Sequence, residues 1–125
     1  MARILIVEDS SDNMKLFRAI LGLKGHEVSG HPGGEGLLGA IEQGSPELVL
    51  MDIQLPGKDG FALLKEIRES PFAGVRVIAL TAHAMTGDRE RALNAGFDGY
   101  ITKPIDIREF PNQVQRALEG EELGG

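Results

Sequence analysis

The sequence predicts a doubly wound α/β fold, with a mostly parallel sheet covered by helices on both faces. Three observations carry the prediction. Short β-branched runs, too apolar for half-exposed strands, alternate with stretches of helical periodicity. The βα unit recurs five times with short connections, as right-handed crossovers between parallel strands require. Four of the five strand candidates end abruptly on polar residues.

Arg3 to Val7 (RILIV) reads as a strand covered on both faces and stops at Glu8 and Asp9. From Asp12 the spacing becomes helical, with Leu16, Ile20 and Leu23 on one face and Phe17 and Leu21 beside them. Ser10 or Ser11 caps its start, and Gly22 or Gly25 offers the stop. His26 to Gly30 is a short polar strand; Pro32, Gly33 and Gly34 mark a turn, and Leu37, Leu38 and Ile41 fit a helix ending near Gly44.

The run ELVLMD is a second buried strand, ending on Asp52 before a loop from Pro56 to Gly60. Phe61, Leu64 and Ile67 form the next helical stripe, broken at Ser70 and Pro71. Val75 to Leu80 (VRVIAL) is a third buried strand and meets Thr81. A charged helix covers Gly87 to Ala95, beginning one turn earlier and stopping at Gly96; DGYITKP gives a strand ending at Lys103 and Pro104. A last helix spans about Asp106 to Glu119, followed by a tail, about 120–125, too polar to be held down.

The length of 125 residues fits one domain, 1–125, with a real core. A formal charge of -6, with no stretch dense in Lys and Arg, sets direct nucleic-acid binding aside. Zero cysteines exclude disulfides and thiolate metal sites, and no apolar run approaches membrane-spanning length. Only Arg3 precedes ILIV, with no long apolar signal region, so the expectation is a cytoplasmic monomer or weak dimer that does not engage membranes.

In a parallel sheet the carboxyl ends of the strands share one edge, where open α/β sheets place their ligands. Glu8, Asp9, Asp52, Thr81 and Lys103 would then converge. Each alone has an ordinary role: Asp9 as a helix cap, Glu8 as a solvated acid, Asp52 as a turn residue, Thr81 as a capping hydroxyl, Lys103 as a surface lysine. Three adjacent carboxylates, however, need raised pKa values or a hard cation. With no histidine at ligand spacing, Mg2+ fits better than Zn2+, and Mn2+ is its substitute. Asp9 and Asp52 would coordinate it, Glu8 would act through water, and a backbone carbonyl just past Asp52 would complete the protein's share.

The space beside that cation, Lys103 and Thr81 suits a phosphoryl group. Asp52 would be the nucleophile, with Lys103 and the cation stabilising charge and Thr81 donating a hydrogen bond. Neither GxxxxGK[ST] nor GxGxxG is present, so the phosphoryl group must arrive already activated.

From residue 3 to about residue 120 the chain resembles the receiver domain of two-component response regulators. The resemblance rests on VEDS after the first strand, MDIQLPGKDG around Asp52, ALTAHA around Thr81 and GYITKPI around Lys103. NMKLF, MDIQLP and TAHAM further look like stand-alone receivers of the DivK type, or receivers attached to hybrid kinases. It implies a flavodoxin-like, CheY-like (βα)5 fold with sheet order 2-1-3-4-5. It makes Asp52 the phosphoacceptor, Glu8 and Asp9 the acidic metal pair with the Gln54 carbonyl, Thr81 the phosphoryl-sensing hydroxyl and Lys103 its basic partner.

The same resemblance makes Lys103 and Pro104 a candidate cis peptide and Tyr100 a switch residue moving with Thr81. Gln54 and His83 flank the access route and would tune the phosphoryl lifetime, while His26 and His31 are surface or turn residues without a predicted partner. Ser10, where relatives often carry Asn, and the charged Gly57, Lys58 and Asp59 are mild departures.

The implied role is a single-domain phosphorelay module with self-catalysed phosphorylation and dephosphorylation. Its donor would be a histidine kinase or histidine phosphotransfer protein, and its output binding to a downstream kinase or other protein through the face of helix 4, strand 5 and helix 5. An aspartyl phosphatase or phosphotransferase would need a second general acid that the chain does not offer. A scaffold without chemistry would not need every site position filled.

Overall fold

The computed structural model describes residues 2–53, 55, 60–81 and 86–120, the side chains of 86–89 excepted. Five strands alternate with five helices: β1 (Arg3–Val7), α1 (Ser11–Leu23), β2 (Glu27–His31), α2 (Leu37–Gly44), β3 (Leu48–Asp52), α3 (Gly60–Arg68), β4 (Arg76–Thr81), α4 (Thr86–Ala95), β5 (Gly99–Thr102) and α5 (Phe110–Leu118). The strands form one sheet in the order β2-β1-β3-β4-β5, and every pairing is parallel. This is the doubly wound flavodoxin-like arrangement.

Alternation along the central strands divides the core in two. Ile4, Ile6, Leu48, Leu50, Ile78 and Leu80 face α1 and α5, where Phe17 and Phe110 meet with ring centroids 5.4 Å apart. Leu5, Val7, Val49, Met51, Val77 and Ala79 face the other way, onto Ile41, Leu63, Leu64, Ile67, Ala92 and Phe97. Every residue of β3 is buried, so the strand that ends on Asp52 is held from both faces.

Four local expectations need correction. The buried face of α1 is Phe17, Ile20 and Leu21, with Met14 beside them; Leu16 is 39% and Leu23 87% exposed. At about 100° per residue, Leu16 and Leu23 lie roughly a third of a turn from Phe17, so the stripe is rotated from the one read in the sequence. Strand β2 begins one residue later than expected because Glu27 pairs with Arg3 in the ladder. It ends on His31, not Gly30.

Helix α5 begins at Phe110 and not at Asp106. Asp106 instead builds a turn ahead of it: its Oδ1 accepts the amides of Arg108 and Glu109 at 2.9 and 3.3 Å, and its carbonyl accepts that of Phe110 at 2.8 Å. Pro111, which lacks an amide proton, then sits in the first helical turn, where none is needed. Finally, both histidines have partners. His26 Nδ1 accepts the Ala2 amide at 3.2 Å, and His31 Nε2 lies 2.6 Å from the Glu35 carbonyl.

A clamp the sequence did not reveal lies at the opposite edge from the strand ends. Arg68, the last residue of α3, donates to the carbonyls of Ala73 (2.7 Å), Val75 (2.6 Å) and Gly96 (2.9 Å) and to Asp98 Oδ2 (3.0 Å). The same Asp98 oxygen accepts the Val77 amide at 2.8 Å, so one guanidinium ties α3 to the starts of β4 and β5. The Arg91 guanidinium sits over the Phe61 ring, 4.2 Å from its centroid, and that ring meets Phe97 edge-on at 5.7 Å.

Candidate functional site

The carboxyl edge of the sheet gathers side chains from four separate segments. Glu8 follows β1 directly; its amide donates to the His31 carbonyl at 3.1 Å, and the residue is 3% exposed. Asp9, one residue on, is exposed. Ser10 caps α1 by accepting the Asn13 amide at 3.3 Å, which turns the chain away and leaves the acidic pair at the sheet edge. Asp52 ends β3 and is 5% exposed; Thr81 ends β4 and is 2% exposed.

Lys103 joins these segments. Its amide donates to the Thr81 carbonyl at 2.7 Å, its peptide to Pro104 is cis, and its ammonium donates to Asp52 Oδ2 at 2.8 Å. The same ammonium lies 2.9 Å from Glu8 Oε1. That contact is an ion pair without hydrogen-bond alignment, so Oε1 is a buried carboxylate oxygen lacking a hydrogen bond. The other oxygen, Oε2, accepts the Ser10 amide at 3.2 Å.

The electrostatics follow from this crowding. Burial pushes the Glu8 carboxyl above its ordinary value, and Asp52 adds to the shift against the opposing pull of Lys103 and the Ser10 amide. Burial pulls the Lys103 ammonium down, but its hydrogen bond to Asp52 and its close charge contacts with Asp52 and Glu8 outweigh that and its pKa is raised. Among the described residues Lys103 contacts two of the acids, Glu8 and Asp52, while Glu8, Asp9 and Asp52 each offer an oxygen within 4.8 Å of the others.

Three carboxylates at this spacing, one with a buried oxygen short of a hydrogen bond, are a donor set suited to a hard divalent cation. The expected Mg2+ fits these residues. A cleft of about 260 Å3, lined by Asp9, Met14, Arg18 and His31 among others, opens beside the cluster.

The response regulator receiver domain model matches residues 4–115. The chain belongs to this family. Over 116 residues it is 38% identical to the polar-differentiation response regulator DivK of Brucella ovis, with 92% of this chain and 94% of that protein covered. It is likewise 38% identical over 116 residues to the sensor protein GacS of Pseudomonas syringae pv. syringae, covering 90% of this chain but only 13% of GacS. Among solved structures, it is similar to the receiver domain of the sensor histidine kinase PA1611 from Pseudomonas aeruginosa PAO1, with a TM-score of 0.84, 35% identity, and 94% of this chain and 98% of that one covered. That structure has a magnesium ion coordinated in its active-site cleft.

As a receiver domain the chain is a module of two-component phosphorelays, self-phosphorylating and self-dephosphorylating, and not a classical enzyme. The structure brings together Glu8, Asp9, Asp52 and Lys103, with Thr81 hydrogen-bonded through its backbone to Lys103. Tyr100 lies half-buried on β5, opposite Ala79, and packs on the side of α3 and α4. Gln54 and His83, like Pro56 to Asp59, Ala82 and the tail 121–125, lie outside the described residues. Among those described, no helix is long and apolar enough to cross a membrane.

Proposed function

We propose that this receiver domain takes a phosphoryl group onto Asp52 from a phosphohistidine of a histidine kinase or histidine phosphotransfer protein, in a Mg2+-dependent step. The observation that carries the reading is Lys103 Nζ, 2.8 Å from Asp52 Oδ2 and 2.9 Å from Glu8 Oε1, within a three-carboxylate cluster. An Asp52 oxygen attacks phosphorus, the P–N bond breaks with its electron pair going to the donor imidazole, and an acyl phosphate results.

Lys103 is already positioned on Asp52, so it can follow negative charge as it moves onto the phosphoryl oxygens without reorganising. Asp9 and Asp52, with Glu8 through water and the Gln54 carbonyl, would hold Mg2+, which when bound neutralises charge on those oxygens. Thr81 is the hydroxyl partner of the phosphoryl group. Tyr100 and the face of α4, β5 and α5 carry the change to a downstream kinase or other protein target, as in a stand-alone DivK-type receiver. Gln54 and His83 set how readily water removes the group.

Treatment with acetyl phosphate and Mg2+ should add one phosphoryl group by intact-protein mass spectrometry. Asp52→Asn should abolish it. Stoichiometric labelling of that variant refutes the assignment.

A further inference from the structure

The end of β3 is held from two sides. The Ile53 amide donates to the Leu80 carbonyl at 3.1 Å, fixing the peptide after Asp52 to β4. Its carbonyl in turn accepts the Gly60 amide at 3.0 Å, so the first residue of α3 closes back onto the residue that follows the acceptor. Gly60 is buried, and a Cβ there would stand 2.6 Å from the Ile53 Cα and 3.0 Å from its Cβ and Cγ2. The nearest obstacle is backbone, which cannot swing aside as a flexible side-chain tip would.

We infer that Gly60 is a positioning residue for the Asp52 carboxylate: by lacking a side chain it lets α3 close on Ile53, and that closure fixes the direction in which Asp52 leaves β3. This rests on Asp52 being the phosphoacceptor. A side chain at position 60 must push the start of α3 and the Ile53 backbone apart by several tenths of an ångström, and whatever part Ile53 takes up is carried by the Asp52–Ile53 bond to the carboxylate. The contact most exposed to it is the 2.8 Å bond to Lys103 Nζ. Gly60 touches neither phosphoryl group nor metal; it acts through Ile53.

The test compares Gly60→Ala with the unaltered chain, Asp52→Asn, and Ile67→Val, a core trim on the same helix that costs about 1 kcal/mol of stability. Acetyl phosphate labelling is followed by intact mass, and Mg2+ affinity by the metal-dependent rise in melting temperature. Gly60→Ala should slow labelling and weaken Mg2+ binding, each by about 10- to 100-fold, the usual loss when support behind a site is disturbed. Ile67→Val should change neither by more than about twofold.

A Gly60→Ala protein matching the Ile67→Val control in both readouts overturns the inference. If the unaltered chain takes no label, the acceptor reading fails, and the Mg2+ affinities alone judge Gly60. If Gly60→Ala does not fold, amide exchange on the unaltered chain decides: the Gly60 amide should be protected like those of β3 and should shift on adding Mg2+, and fast exchange with no shift overturns the proposal.

Discussion

Replacing Lys103 with methionine keeps the unbranched stem, one atom shorter, and removes its charge. The ammonium faces Asp52 at 2.8 Å and Glu8 at 2.9 Å, with side chains only 6% and 1% exposed. At an effective dielectric of about 20 each attraction is roughly 6 kcal/mol before desolvation. Most of that is offset by the cost of burying the ammonium itself, and removing one member of a buried pair typically costs about 3–5 kcal/mol net. Lys103 is 18% exposed, and water screens what it can reach.

The lower end is therefore expected for Lys103→Met, about 3 kcal/mol, or a melting temperature lower by roughly 10 °C in a chain of this size. Urea unfolding followed by far-ultraviolet circular dichroism measures it. In Lys103→Met/Asp52→Asn the cost should fall by at least about 1 kcal/mol below the sum of the two single changes, because one of the two buried carboxylates left without the ammonium is then neutral. Mg2+ should recover a larger share of stability in Lys103→Met than in the unaltered chain, since the site then holds three acids and no ammonium. Additivity within about 0.5 kcal/mol, or a Lys103→Met chain as stable as its parent, would refute the claim that this lysine offsets the acidic cluster.

Two further outcomes follow from features away from the acids. Burial lowers the pKa of His26 below 6.5, with Glu47 pulling the other way, and its neutral Nδ1 accepts the Ala2 amide. The unfolded chain then takes up the proton first, so His26 contributes stability above pH 6.5 that is lost as pH falls through its folded value. Urea midpoints from about pH 7.5 to about pH 5 should fall more steeply for the unaltered chain than for His26→Gln; parallel profiles would count against it. Arg68→Met should cost about 2 kcal/mol by stranding carbonyls and Asp98, and should speed amide exchange at Val77 and 96–98 while Asp52 labelling is unchanged. Unaltered exchange there would show that the clamp is not needed.

How far the molecule can be read from its residues depends on which interactions place them. Strands β1, β3 and β4 are legible because burial on both faces leaves uninterrupted apolar runs such as RILIV and LVLMD. The strand-end positions of Asp52 and Thr81 follow from parallel topology alone. Helix α1 misleads because Leu16 and Leu23 mimic the stripe that Phe17 and Leu21 form. The start of α5 misleads because a side-chain oxygen of Asp106 substitutes for helical bonding. Arg68 and Gly60 carry no local signal: one reaches the Gly96 carbonyl 28 residues away, and the other answers to a backbone that only the folded sheet brings near.

The separation of the site's parts along the chain has a kinetic meaning. Asp52 and Lys103 are 51 residues apart, and Glu8 is brought to both by β1 pairing with β3. Contacts this distant form only after the intervening loops have been closed. A chain that has built β1 to β4 but not docked β5 therefore holds three acids without their ammonium, the least favourable charge state the sheet edge can have. On the proposed assignment of Asp52 and Lys103, phosphoryl uptake would become a test of completed folding, because a nascent or partly unfolded chain presents the aspartate without the lysine.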